Sequence, residues 1–216
     1  MASDQHNSAT APEDLFHEAE YSSDAAKPKR KAEWKSTIDS IAHHGIAFEI
    51  FNHGVVIIGK SGVGKSELGL ELIDRGHRLI CDDLVAGHLI DKKIQISAPL
   101  EFGVGFMEIR GIGFVNIKKF YGSHVVCTRQ TLSLVIELVK HETLDLINQN
   151  RLLQLIDEIE VLGIKVPRYK LPIGANRNLP ILVELIVKYA IARENGYDSH
   201  AEFINQQAQA IEEGED

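Results

Sequence analysis

The sequence predicts an α/β fold, and three observations carry that prediction. An apolar run at 54–58 leads into a glycine loop, Gly59-Lys60-Ser61-Gly62-Val63-Gly64-Lys65-Ser66, which leads into a helical stretch at 67–75. Strand-length runs rich in Val, Ile and Leu recur at 46–51, 78–81 and 132–139. Helical spacing or helix caps occupy 151–162, 178–195 and the stretch from 199 onward.

Taken in order, residues 1–36 are rich in Ser, Ala, Asp, Glu and Lys and poor in apolar residues. They cannot bury enough surface to offset ordering entropy and are expected to form a disordered tail. The basic run Lys27-Pro28-Lys29-Arg30-Lys31 within it reads as a solvated linker rather than a nucleic-acid or targeting patch. A catalytic-size domain is expected over 37–210, with 211–216 frayed. The first strand, 46–51, turns at Asn52-His53-Gly54 into the strand before the loop. The loop helix stops at Gly76, and 78–81 is a strand ending in Asp82-Asp83. Another strand is expected at 93–96.

Glycines at 103, 105, 111 and 113 make 100–114 a mobile or closely packed loop. A strand follows at 132–139. Apolar residues at 152, 153, 155, 156 and 159 predict a helix over 151–162. Pro167, Pro172 and Gly174 break the next stretch into loop and short strand. Asn178 caps a helix whose first position is Pro180 and which ends at Asn195-Gly196. Ser199-His200-Ala201-Glu202 reads as a capping box opening a last helix.

Composition excludes several classes. With 44% apolar and 25% charged residues, the 216-residue chain reads as a soluble globular protein. A formal net charge of −8 argues against general nucleic-acid binding. No apolar stretch reaches membrane-span length, and the N-terminus lacks a signal-peptide pattern. Two cysteines, Cys81 and Cys127, suit a reducing, cytoplasmic setting, and no zinc-type Cys/His spacing occurs.

The glycine loop fits G-x-x-x-x-G-K-[ST] at every fixed position. Glycines let backbone N–H groups converge on phosphate oxygens, and the helix N-terminus adds a positive dipole end. Lys65 would reach the β/γ-phosphates, and the Ser66 hydroxyl would bind Mg²⁺. Asp82 and Asp83 end a strand, where ligands of open α/β sheets gather. One aspartate could hold the metal and the other accept a proton, or the pair could simply cap a turn. Glu108 and Arg110 read equally well as an exposed ion pair or as a metal ligand and a phosphate contact. By default His44 reads as part of a strand-entry turn and Arg151 as a surface residue at a helix start.

Beyond these local readings, 44–193 resembles the catalytic domain of HPr kinase/phosphorylase, which phosphorylates HPr, the phosphocarrier of the bacterial sugar phosphotransferase system. The resemblance rests on His44-Gly45, the loop through Glu67, Arg75-Gly76-His77-Arg78-Leu79 with Asp82-Asp83, and the segments 107–117 and 172–178. It implies a P-loop kinase domain with a mixed sheet like that of phosphoenolpyruvate carboxykinase. It implies ATP or pyrophosphate on 59–66, Lys65 neutralising the transferring phosphoryl group, and Mg²⁺ held by Ser66 and Glu108. Asp83 matches the proton acceptor for the substrate serine, and the proton donor in reverse. His44 and Arg151 match the other catalytic positions. The segment 108–117 is tied to phosphorylation and 172–177 to dephosphorylation. The reverse reaction would be phosphorolysis of phosphoserine by inorganic phosphate, giving pyrophosphate. The resemblance further implies HPr or an HPr-like carrier as partner and a homo-oligomer, by family a hexamer.

Three departures accompany it. The expectation is a short form without the family's N-terminal domain. Lys60 stands where an acidic or small residue is usual. Ala175-Asn176-Arg177-Asn178 replaces Pro-Gly-Arg-Asn, so the resemblance implies kinase activity more strongly than phosphorylase activity. The readings set beside this one are a kinase of the same fold with another protein or small-molecule acceptor, and a non-catalytic nucleotide-binding sensor.

Overall fold

The computed structural model describes residues 35–37, 40–140, 156–174 and 177–214. Its strands are β1 (Lys35–Thr37), β2 (Ser40–His44), β3 (Ile46–Ile50), β4 (His53–Gly59), β5 (Arg78–Cys81), β6 (Leu84–Ile90), β7 (Lys93–Ser97), β8 (Phe106–Ile109), β9 (Gly113–Asn116), β10 (Arg129–Lys140), β11 (Ile156–Val161) and β12 (Ile164–Ile173). The helices are α1 (Lys65–Asp74), α2 (Ile117–Tyr121), α3 (Leu179–Glu194) and α4 (Ser199–Gly214).

A mixed sheet organises these elements, in the order β1-β2-β6-β7-β10-β4-β3-β5. The twelve-residue β10 is its hinge. At Arg129–Thr131 β10 pairs with β7 antiparallel, and at Val135–Lys140 it pairs with β12 parallel. Its other edge runs parallel to β4, with a register shift between Leu132 and Leu134. The sheet therefore curls, and β12 with β11 branches from the point where β7 leaves.

This curl explains why β3, apart from Glu49, and the 55–58 part of β4 read as apolar runs without alternation. Both of their faces are covered, so alternation disappears. One face carries Phe48, Val55, Ile57, Leu134 and Ile136, packed against Leu68 and Leu72 of α1 and Val183 and Val187 of α3. The opposite face carries Ala47, Val56 and Val135, packed against Val85, Ile94 and Ile96 of the folded-over strands.

Several expectations are corrected. The turn between the first two strands lies at Phe51-Asn52, both with positive φ, and β4 already begins at His53. The segment 100–114 is not simply a loop: after a short 3-10 turn, β8 and β9 pair as a hairpin, with Met107 and Ile109 buried. Gly111 and Gly113, at φ 82° and 98°, shape its turn. The strand Leu84–Ile90 carries no clear pattern in the sequence, because Gly87 and His88 interrupt it.

The predicted helix over 151–162 is strand where it is described: Ile156–Val161 is β11, an edge strand. Its partner, β12, is one continuous strand rather than loop and short strand. Leu162 and Gly163, at φ 50° and 75°, form the two-residue turn between them. Both prolines are tolerated there. Pro167 precedes the start of β10 pairing at Arg168, and Pro172 lies beyond the last β11 pair at Tyr169. At the start of α4 the cap is Asp198, whose Oδ1 accepts from the backbone N–H of His200 and Ala201, not Ser199. The helix itself runs through Gly214. As expected, the Asn178 side chain caps α3 by accepting from the Ile181 N–H.

A charged clasp holds α3 against the end of the loop helix. Glu184 accepts from Arg75 Nε and Nη2 at 2.7 and 2.6 Å, and lies 2.9 Å from His77 Nε2. The Arg75 hydrogen bonds, opposed by burial and aided by His77, hold the Glu184 carboxyl down at about 2. A depressed folded pKa gives stability that is present above the ordinary glutamate range and lost as pH falls through the folded value. Because Arg75 is exposed, solvent screens much of this contribution. Urea denaturation should therefore show Glu184→Gln destabilised at pH 7, with the deficit closing between about pH 4.5 and 2.

Candidate functional site

The loop is built by two constraints, the end of β4 and the start of α1. Gly62 and Gly64 take φ of 77° and 95°, in the left-handed region where side chains are strained. Gly64 is the N-cap of α1, with its carbonyl accepting from the Leu68 N–H. Lys65 and Ser66 are therefore the first two residues of the helix. The loop also closes on itself, with the Val63 N–H donating to the Lys60 carbonyl.

Lys65 is buried, and its Nζ donates to the carbonyls of Gly59 at 3.1 Å and Lys60 at 3.3 Å. Burial lowers its pKa, while the Asp82 and Asp83 carboxylates partly restore it. Its ammonium is thus held inside the loop's own curve. Ser66 Oγ lies 3.4 Å from both carboxylate oxygens of Asp82. Asp82 Oδ2 also accepts from the Glu108 backbone N–H at 3.1 Å. Burial raises the Asp82 pKa against these hydrogen bonds. A desolvated carboxylate beside a serine hydroxyl is a donor pair short of positive charge.

Asp83 takes φ 69°, a left-handed conformation uncommon outside glycine. Two contacts keep it there. Its carbonyl accepts from the Gly45 N–H at 3.1 Å, and its Oδ1 lies 3.0 Å from His44 Nδ1. Gly45 itself lies tight against β4: a β-carbon there would lie 2.8 Å from the Ile57 carbonyl oxygen. Neighbouring His43 has its pKa lowered, chiefly by burial. If His44 Nδ1 carries the proton toward Asp83, Nε2 is left as an acceptor.

The structure thus brings His44, Lys65, Ser66, Asp82 and Asp83 together at the ends of β2, β4 and β5. Glu108 joins them through its backbone, its side chain being exposed. Lys60 and Ser61 lie on the exposed outer part of the loop, and Val63 packs partly against the core. Arg151 lies outside the described residues, as do Ala175 and Asn176. Two residues were left undecided by sequence reasoning. Asp82 is the carboxylate nearest Ser66, and Arg110 places its guanidinium over Gly62. Only the strand-end position of the aspartate pair and the spacing of Glu108 and Arg110 hinted at them.

Among the described residues, no group of three or more His, Cys, Asp or Glu side chains forms a metal cage. Magnesium does not require one, since it commonly takes one or two protein ligands plus phosphate and water. Ser66 with the desolvated Asp82 fits that pattern. No described helix is long and apolar enough to cross a membrane. Cys81 and Cys127 are free thiols.

Comparison with known proteins bears on the family and the fold. Residues 36–207 match the family model described as HPr Serine kinase C-terminal domain. The HPr kinase/phosphorylase of Polaromonas sp. (strain JS666) is 36% identical over 179 residues, covering 83% of this chain and 56% of the relative. That of Geobacillus thermodenitrificans is 38% identical over 175 residues, covering 81% and 56%. The chain spans about half the length of these curated relatives. The solved structure of the Hpr(Ser) kinase/phosphatase from Coxiella burnetii superposes with a TM-score of 0.68 at 37% identity. That alignment covers 75% of this chain and 97% of the solved one.

Proposed function

The chain belongs to the HPr serine kinase C-terminal domain family, and on that premise we propose that it transfers the γ-phosphoryl group of ATP to a serine of HPr or an HPr-like carrier. The observation that carries the proposal is the His44–Asp83 pair, held beside the loop lysine by a strained backbone. A plain nucleotide binder needs the loop but has no use for a positioned carboxylate of this kind.

In this reading 59–66 is a phosphate-binding P-loop in a sheet like that of phosphoenolpyruvate carboxykinase. Its N–H groups hold the phosphates, and Lys65 turns from the Gly59 and Lys60 carbonyls to the transferring group. Ser66, with Asp82 or Glu108, would hold Mg²⁺, which supplies charge neutralisation on the phosphates. Asp83 accepts the serine proton as the hydroxyl oxygen bonds to phosphorus and the bond to ADP breaks. His44 orients that carboxylate. Arg151 is assigned a catalytic role by position alone. Phosphoryl transfer is mostly positioning and charge stabilisation, so this set suffices.

Run backward, inorganic phosphate attacks phosphoserine, Asp83 returns a proton to the serine oxygen, and pyrophosphate leaves. We further assign the protein to the cytoplasm as a homo-oligomer. Its parts would be a tail at 1–36, whose last two residues already pair in β1, the catalytic domain at 37–210 and a C-terminal end at 211–216, into which α4 runs as far as Gly214. Incubation of HPr with ATP and Mg²⁺, followed by mass spectrometry, should find one phosphoserine. Phosphorylated HPr given inorganic phosphate should lose it with release of pyrophosphate. A nucleotide-dependent transfer to other acceptors while HPr is ignored would move the reading to a different substrate.

A further inference from the structure

The β8–β9 hairpin is fixed beside the glycine loop at two points. The Glu108 N–H donates to Asp82 Oδ2, the carboxylate next to Ser66. Met107 is buried against the loop helix, where a β-carbon on Gly69 would lie 2.9 Å from its Cε. Between these anchors and the turn at Gly111 stands Arg110.

Arg110 reaches the loop itself. A β-carbon on Gly62 would lie 3.1 Å from Arg110 Nη2 and 3.9 Å from its Cζ and Nη1. The guanidinium therefore lies close over the loop at Gly62, where a side chain would have to push it aside. Arg110 is exposed, and among the described residues it forms no hydrogen bond or ion pair. The other arginines with resolved partners behave differently: Arg75, Arg78 and Arg168 each engage a carboxylate. An arginine held over an anion-binding loop without a protein anion is set up for a ligand anion. Its planar fork suits phosphate oxygens.

Position narrows the choice of phosphate. Gly62 stands two residues ahead of the helix cap Gly64, on the part of the loop farther from the helix N-terminus. The loop lysine reaches the β/γ-phosphates, and Lys65 Nζ points back toward Gly59 and Lys60 rather than along the helix, so the terminal phosphate is assigned to the Gly62 side. We propose that Arg110 is a catalytic residue that grips the terminal phosphate of the nucleotide, an arginine finger supplied by the hairpin of the same chain. Glu108, at the end of β8, and Arg110, in the turn after it, would then both lie on the hairpin beside the transferring group. This rests on the reading that 59–66 binds ATP.

Calorimetric titration of MgATP and MgADP into wild type, Arg110→Met and Arg110→Lys separates the two ideas. Arg110→Met should bind MgATP at least about tenfold more weakly and MgADP within about twofold of wild type. Arg110→Lys, which keeps the charge but loses the fork, should fall between. Folding is not at issue, because Arg110 has no partner to lose among the described residues. Equal loss for both nucleotides, or none for either, would overturn the role of Arg110. Wild type that binds neither nucleotide would overturn the loop reading along with it.

Discussion

Asp83→Asn should slow phosphoryl transfer by about 10²–10⁴-fold while nucleotide affinity stays within about twofold. The substitution removes one proton-accepting oxygen and little else. Asparagine tolerates the left-handed backbone region, so φ 69° at this position is kept. The Gly45 N–H still donates to the backbone carbonyl, and the amide oxygen can still accept from His44 Nδ1. Asp83→Ala would mix lost chemistry with backbone strain and is the poorer test. A loss confined to the rate, with binding intact, is the mark of a group that acts only in the transition state. Single-turnover transfer beside equilibrium nucleotide binding reads both.

The second large effect falls on Lys65. Lys65→Met should lower transfer by at least about 10²–10³-fold, since the developing phosphoryl charge loses its nearest cation. Stability should change by less than about 1 kcal/mol, because burying an ammonium already costs about what its hydrogen bonds return. Those bonds go to the Gly59 and Lys60 carbonyls, of residues that are half-buried and exposed respectively. Lys65→Arg should not rescue transfer. A branched planar head does not fit the curve that holds a compact ammonium. Thermal melting together with the transfer rate separates the two effects.

Where the sequence was legible, local geometry set the pattern. Glycines at 62 and 64 are required by positive φ, and Lys65-Ser66 by the helix start, so the loop is written in consecutive residues. The helix α3 was equally plain, since Asn178 and Asn195 mark its ends. The His44–Asp83 contact is different. It joins residues 39 positions apart through the pairing of β2 with β6, and only the family resemblance pointed to it.

Errors arose where tertiary packing overrode period. Residues 156–161 have apolar spacing compatible with a helix, but β12 offers them a strand edge and Leu162-Gly163 supplies the turn. In 100–114 the glycines suggested a loop, yet two of them shape a hairpin whose alternation hides in the short run Met107-Glu108-Ile109. That hairpin is what brings Glu108 and Arg110 to the loop, so the site was harder to read than the fold around it.

The central claim is that the loop and the His44–Asp83 pair form one phosphoryl-transfer site acting on a protein serine. The most direct measurement is transfer of γ-labelled phosphate from ATP to HPr by wild type and Asp83→Asn, side by side in the presence of Mg²⁺. The account predicts labelled phosphoserine with wild type and nearly none with the variant, at matched nucleotide occupancy. Equal labelling by both proteins, or none by wild type that binds ATP, would contradict it.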